Sequence, residues 1–173
     1  AVTDSAYLSV HYIDVGQADC MLLECNGKYA IIDGGYDTTG FAVVEYLRDH
    51  GVEWIELMVA THPHGDHTNG LISFVDLANW YFRTSEPQVY LPDISLVTGM
   101  KAWLTGSESG DLRDGIGLHV YEAGVIYDDG FVKVTAIATQ HCHHAHAFLF
   151  EAEGKKLLFT GDFLHHSTVA GEY

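Results

Sequence analysis

Four side chains able to hold a metal ion fall within six residues, in His62-Pro63-His64-Gly65-Asp66-His67, directly after the apolar run from Trp54 to Thr61. The run reads as a buried strand, and Pro63 and Gly65 disfavour regular helix beyond it. The segment is therefore predicted to be a loop that leaves the strand and enters a helix near Leu71 to Leu77. Imidazole and carboxylate together suit zinc, iron or manganese better than calcium or magnesium. Histidines two apart in an extended loop converge on one ion, while Asp66 and His67 face another. The plainer alternative is a polar loop with Asp66 as a helix N-cap, and it does not account for this density. A second histidine group, His141, His143, His144 and His146, comes later, so that seven of the 12 histidines sit in two clusters. Any fold for this chain has to bring a strand-end loop and a distant histidine segment to one place.

Three segments ahead of the motif are rich in β-branched, aromatic and aliphatic residues and read as a strand meander: Leu8 to Asp14, Asp19 to Cys25, and Lys28 to Asp33. Asn26-Gly27 between the last two is a hairpin signal, because both turn positions take positive φ. Phe41, Val44 and Leu47 recur at helical spacing up to Gly51, which predicts a helix from about Thr39 to His50 closed by that glycine. From Asn79 to Gly130 the pattern is weak, and Pro87, Pro92 and Gly106 to Asp111 read as loops around short elements. Phe131 to Thr139 alternates as a strand, and Ala145 to Glu151 joins Lys156 to Thr160 through Glu153-Gly154 as a hairpin. There are no repeats and no dividing linker. The 173 residues, 47% of them apolar, are expected to close one domain over 1–173.

Twenty-four acidic residues against eight basic ones give a formal charge of −16, which repels a polyanion and makes a long nucleic acid a poor partner. A small-molecule substrate is expected instead. The apolar runs are too short for a bilayer-spanning helix. The opening Ala1-Val2-Thr3-Asp4-Ser5 carries no leader pattern, which favours the cytoplasm; the first residue is not Met, so a targeting segment removed earlier is the alternative. Cys20, Cys25 and Cys142 do not form a disulfide framework. The first two fit an apolar strand as small hydrophobes, and Cys142 is expected to be a bystander. Oligomeric state is not written in the pattern.

His62-x-His64-x-Asp66-His67 after an apolar strand resembles the signature of the metallo-β-lactamase superfamily. Three further segments match in order: Tyr12-Ile13-Asp14-Val15-Gly16-Gln17-Ala18-Asp19, Ile31-Ile32-Asp33-Gly34-Gly35, and Phe159-Thr160-Gly161-Asp162. The first resembles especially the hydrolase-like domain of DNA-uptake competence proteins and related phosphoesterases. The resemblance implies an α/β fold, an αββα sandwich incomplete at its C-terminus in this chain. It implies two divalent metal ions, zinc with manganese or iron as alternatives. His62, His64 and a later histidine would hold the first, Asp66 and His67 the second, and Asp162 would bridge both. His141 is the favoured later histidine, with His143, His144 and His146 open. For Asp33 a role behind the ligands and an ordinary strand-ending aspartate are both retained.

β-Lactamases proper tend to carry another residue at the His67 position. The Asp66-His67 pair resembles the dinuclear hydrolases that cleave phosphodiesters, thioesters or lactones, in which a metal-bridging hydroxide attacks and Asp66 orients it or carries its proton. A phosphodiester is favoured by the first motif, with a lactone or thioester as alternative. The family usually supplies a last histidine to the second metal from well beyond Asp162. Here only His165 and His166 follow, too close to take that place, and a missing C-terminal part is the expected reason. The competing reading is a non-catalytic module that keeps the fold and one structural metal.

Overall fold

The computed structural model describes residues 7–80, 86–106 and 113–163. Two sheets face each other. The first has six strands in spatial order β1 (Leu8–Tyr12), β2 (Met21–Cys25), β3 (Lys28–Ile32), β4 (Leu57–Val59), β5 (Gln88–Leu91) and β6 (Gly117–Val120). The second has four, in order β10 (Lys155–Phe159), β9 (His146–Ala152), β8 (Val132–Ala138) and β7 (Gly124–Asp128). β1 to β3 are the predicted antiparallel meander, with Asn26 and Gly27 at φ 51° and 73° in the hairpin turn. Glu153 and Gly154, at φ 50° and 70°, make the second predicted hairpin in the same way.

β3 to β6 run parallel, and parallel neighbours need crossovers, usually helical. α1 (Gly40–Asp49), α2 (Gly65–Trp80) and α3 (Ile94–Gly106) supply them. All three bury their apolar sides against the outer face of the six-stranded sheet, where Leu47, Leu71, Phe74 and Met100 meet Leu22, Ile31 and Met58. Between the sheets, Met21, Leu23, Ile32 and Val59 pack on Val134, Phe148 and Phe150. β2 and β3 thus send consecutive residues into two different apolar layers, which explains their near-continuous apolar composition. The layers run helix, sheet, sheet. Val125, Ile137 and Leu158 on the second sheet are exposed, so among the described residues no helical layer covers that side.

Several boundaries differ from those predicted. α2 begins at Gly65, well before Leu71, so Asp66 and His67 lie in a helical first turn and not in a loop. The His64 carbonyl accepts the N–H of Thr68 and the Thr68 hydroxyl, each at 3.0 Å. His64 therefore closes the helix start, and Asp66 is inside the helix, not its N-cap. The ladder of β4 spans only Leu57–Val59, because Glu56 already turns its carboxylate back to the Tyr29 N–H at 2.7 Å. β5, α3, β6 and β7 all fall in the stretch where the sequence pattern is weak. Ser107 to Asp111, read as loop, lie outside the described residues, as do His165 and His166.

Chain directions decide where a site can be. β1, β3, β4, β5, β6, β8 and β10 all end on one side of the sandwich, and β2, β7 and β9 start there. Crevices beyond the carboxyl ends of parallel strands are where open α/β sheets bind ligands. α2 is clamped to this side through backbone alone: the Gly34 N–H donates to the His67 carbonyl and the Gly70 N–H to the Gly35 carbonyl, both at 2.8 Å. A methyl group at Gly70 would collide with the Gly34 carbonyl oxygen, and one at Gly34 with the Leu71 backbone. Gly70→Ala is therefore expected to lose roughly 1–3 kcal/mol or more through overpacking. A urea melt reads this directly, and an unchanged midpoint would show that helix and turn are not in contact.

Candidate metal centre

Six side chains arrive at this end from four places. His62 and His64 follow β4, Asp66 and His67 open α2, His141 sits between β8 and β9, and Asp162 follows β10. His62 and His67 are 1% and 2% exposed. His62 Nε2 lies 3.1 Å from His64 Nδ1, and His141 Nε2 lies 3.4 Å from the same atom. Asp162 Oδ2 is 3.4 Å from His141 Nε2 and 3.9 Å from His62 Nε2. Its other oxygen, Oδ1, is 3.8 Å from His67 Nε2, which is also 3.8 Å from Asp66 Oδ2. Ligand atoms around a tetrahedral zinc with bonds of 2.0–2.1 Å stand about 3.3 Å apart, and two groups of side chains here come within reach of an ion: His62, His64 and His141, and His62, His67 and Asp162.

Proton accounting supports that fit. Asp33, fully buried, accepts the Thr61 N–H at 2.8 Å, the Thr61 hydroxyl at 2.9 Å and His67 Nδ1 at 2.8 Å. With its hydrogen given to Asp33, the Thr61 oxygen accepts from His62 Nδ1 at 3.0 Å. Both buried rings thus spend their Nδ1 hydrogen on the protein, which turns Nε2 of each toward the cluster. His67 Nε2 faces the carboxylates of Asp66 and Asp162, an arrangement that a metal ion, or a proton on that nitrogen, satisfies.

Burial, and next the neighbouring His67, push the His62 imidazole down to about 4. Burial opposes protonation of His67 as well, but the hydrogen bond and charge of Asp33, with Asp66 and Asp162, hold it above the ordinary histidine value. Burial raises the Asp33 carboxyl against its three donors. In this pair the proton belongs on His67 Nδ1, because both Thr61 donors point at the carboxylate.

His143, His144 and His146 are not drawn into the cluster. His144 Nε2 faces Asp93 Oδ2 at 3.3 Å, and His146 Nδ1 donates to the His144 carbonyl at 3.0 Å. Cys142 Sγ turns to the His143 carbonyl at 3.5 Å, and all three cysteines are free. Three contributors lie outside the predicted ligand set. Thr61 orients His62. Tyr121 donates its hydroxyl to the Ala60 carbonyl at 2.6 Å, fixing the backbone ahead of the motif. Asp19, two residues ahead of β2, brings Oδ2 to 4.0 Å from His67 Nδ1. The signals that could have found them are positional: Asp19 lies within the Tyr12 to Asp19 motif, and Thr61 directly precedes the first histidine.

The family model described as metallo-beta-lactamase superfamily matches residues 13–170. The chain belongs to the metallo-β-lactamase superfamily. Among solved structures it is similar to a metallo-β-lactamase of Cronobacter sakazakii with a HARLDQ motif, at 20% identity and TM-score 0.65, covering 94% of this chain and 64% of that one. It is similar to the short form of human tRNase Z at 18% identity and TM-score 0.67, covering 95% and 70%. YhfI of Bacillus subtilis, a metallo-β-lactamase fold protein, matches at 13% identity and TM-score 0.62 over 90% and 59%. At such identities the likeness is one of fold, and the chain spans under two thirds of the first of these proteins. Members of the superfamily are mostly metal-dependent hydrolases, typically with divalent metals, usually zinc.

Thr61→Val keeps the shape of the side chain and removes the hydroxyl between Asp33 and His62. It is expected to weaken zinc binding about 10- to 100-fold, measured by competition with a chromophoric chelator; unchanged affinity would mean the hydroxyl does not orient His62. The metal-free chain has a pH signature. His62 titrates lower in the folded than in the unfolded chain, so its contribution to stability is intact above about 6.5 and is lost as pH falls toward 4. Denaturant melts of the native chain and of His62→Gln are expected to differ in this window, and parallel pH profiles would sink the assignment.

Proposed function

We propose that this chain is a hydrolase dependent on two divalent metal ions and acting on a phosphodiester. The observation that carries the reading is the two-sided Asp162 carboxylate, one oxygen toward His141 and His62 and the other toward His67. His62, His64 and His141 would hold one ion, Asp66 and His67 the other, with Asp162 between them and zinc ahead of manganese or iron. Bound metals supply the Lewis acidity that ionises water near neutral pH and offsets charge on substrate oxygens.

The chain's own residues do the rest. Asp33 and Thr61 hold the two buried imidazoles in the tautomer that leaves Nε2 free. Asp66, partly exposed at the first turn of α2, is the group placed to take the proton of the attacking water and pass it to the leaving oxygen. The phosphodiester preference rests on the resemblance of Tyr12 to Asp19, joined by the similarity in fold to a tRNase. A lactone or thioester is the second reading, favoured by the basic residues. Lys28, Arg48, Lys101, Arg113, Lys133, Lys155 and Lys156 lie at strand starts, in helix middles or ends, or ahead of β6, away from the cluster.

Elemental analysis of protein purified without chelator tests the reading first. About two ions per chain, fewer in His64→Ala, with cleavage of bis(p-nitrophenyl) phosphate that EDTA abolishes, is the expected result. Two ions with turnover only of a lactone or thioester would move the substrate class. One ion or none, with no turnover, would leave a non-catalytic module of this fold.

A further inference from the structure

Beside the cluster, on the same end of the sandwich, an open cleft of about 410 Å³ lies between the start of α3, the segment after β6 and the histidine loop before β9. It shares a wall with the metal centre. The Thr61 carbonyl accepts the His146 N–H at 3.0 Å and lies 3.2 Å from the Tyr121 hydroxyl, whose hydrogen goes mainly to the Ala60 carbonyl, and His146 and Tyr121 both line the cleft. Whatever occupies the cleft is therefore in touch with the residue that precedes His62.

Its lining has a definite chemistry. Ile94 and Val120, 62% and 47% exposed, leave apolar surface at the mouth. Asp93 and Glu122 add two carboxylates. Hydrogen bonds from Ser95 hold the Asp93 carboxyl below the usual carboxylate range, so it is ionised. His146 is 7% exposed, and its Nδ1 proton is committed to the His144 carbonyl. Its Nε2 is thus a lone pair, and it has no partner among the described residues. His144 completes the wall against Asp93, and no Lys or Arg lines the cleft.

An anionic group would meet two carboxylates and a lone pair here, and a purely apolar group would strand the His146 nitrogen. A cation with N–H donors on an apolar stem satisfies every member of the lining. We propose that this cleft is a subsite for a primary alkylammonium group, carried by the part of the substrate remote from the bond that is cut. The inference rests on the metal cluster being the reaction centre, and it turns the substrate class toward amine-bearing, zwitterionic esters. It also gives the charge of −16 a use at the site, since an ammonium is drawn in and a second phosphate is repelled.

The test needs no ester. n-Butylammonium chloride is titrated into the intact chain and followed by backbone and histidine-ring NMR, with sodium butyrate as the control of equal size and opposite charge. Saturable shifts are expected at His146 Nε2, Tyr121 and Val120. Affinity should fall about three- to five-fold in Glu122→Gln, the scale of a partly exposed charge pair, and stay unchanged in Glu45→Gln on α1. Equal shifts with butyrate, no saturable shift, or equal losses in Glu45→Gln and Glu122→Gln would each overturn the subsite. If the ammonium binds as described but no ester is hydrolysed, the hydrolase reading fails and the subsite stands. If esters turn over but the ammonium does not bind, the subsite fails and the hydrolase reading stands.

Discussion

The arrangement depends on one buried carboxylate. Asp33 sits where β3 ends, at φ 56°, a left-handed conformation that aspartate tolerates better than most residues. Taking an ionised carboxylate out of water costs several kcal/mol unless its oxygens are fully engaged. Here the Thr61 backbone, the Thr61 hydroxyl and His67 engage them. These partners belong to the loop after β4 and to the first turn of α2, so a single charge ties the ends of β3 and β4 to the start of α2. The two buried rings of the cluster are set by it, because Thr61 aims His62 and Asp33 itself aims His67.

The backbone permits this close meeting only because two glycines face each other. Gly34 and Gly70 bring the turn after β3 against α2 with no side chain between them. His67 therefore reaches Asp33 from a helix and not from a loop. A helical first turn also keeps Asp66 and His67 on adjacent positions of a rigid element, near the positive end of the helix dipole, where a carboxylate is favoured. The two later contributors come from the opposite sheet, since β8 and β10 both run toward this end and deliver His141 and Asp162 just past their last paired residues. The centre is a seam between two sheets, and the core packed between them holds its two halves in register.

Much of this is legible along the chain. The density of donors in His62 to His67, the two positive-φ hairpins and the helix closed by Gly51 are local signals, and local signals survive without a structure. The start of α2 is misplaced by sequence because Pro63 and Gly65 speak against helix individually, while the deciding interactions, Thr68 to the His64 carbonyl, lie one turn further on. β5 and β6 are four residues long, too short for periodicity to separate from loop. α3 carries Ser95, Thr98 and Gly99 among its apolar residues, which blurs any stripe, and Pro92 overshadows the Asp93 cap at its start. Among His141, His143, His144 and His146 the sequence favours His141, by its place after the strand, and leaves the other three open. The choice is made by Asp93 and by the His144 carbonyl, groups that turn His144 and His146 away.

Charge explains why a strongly acidic chain can hold so many imidazoles together. Burial and the neighbouring His67 hold the His62 imidazole down while Asp33, Asp66 and Asp162 hold His67 up, so the cluster sets ring nitrogens beside the carboxylates Asp66 and Asp162 with at most one charge on the two buried rings. Such a set is unfavourable to bury alone. The protein offsets part of that cost with Asp33 and Thr61, which take the two ring protons, and leaves the rest to a cation. None of the seven described basic side chains is placed to supply that charge, as they stand at far strand and helix positions. Among the described residues no lysine or arginine reaches the centre, so the charge that would balance its carboxylates is left to protons or to a cation from outside the chain.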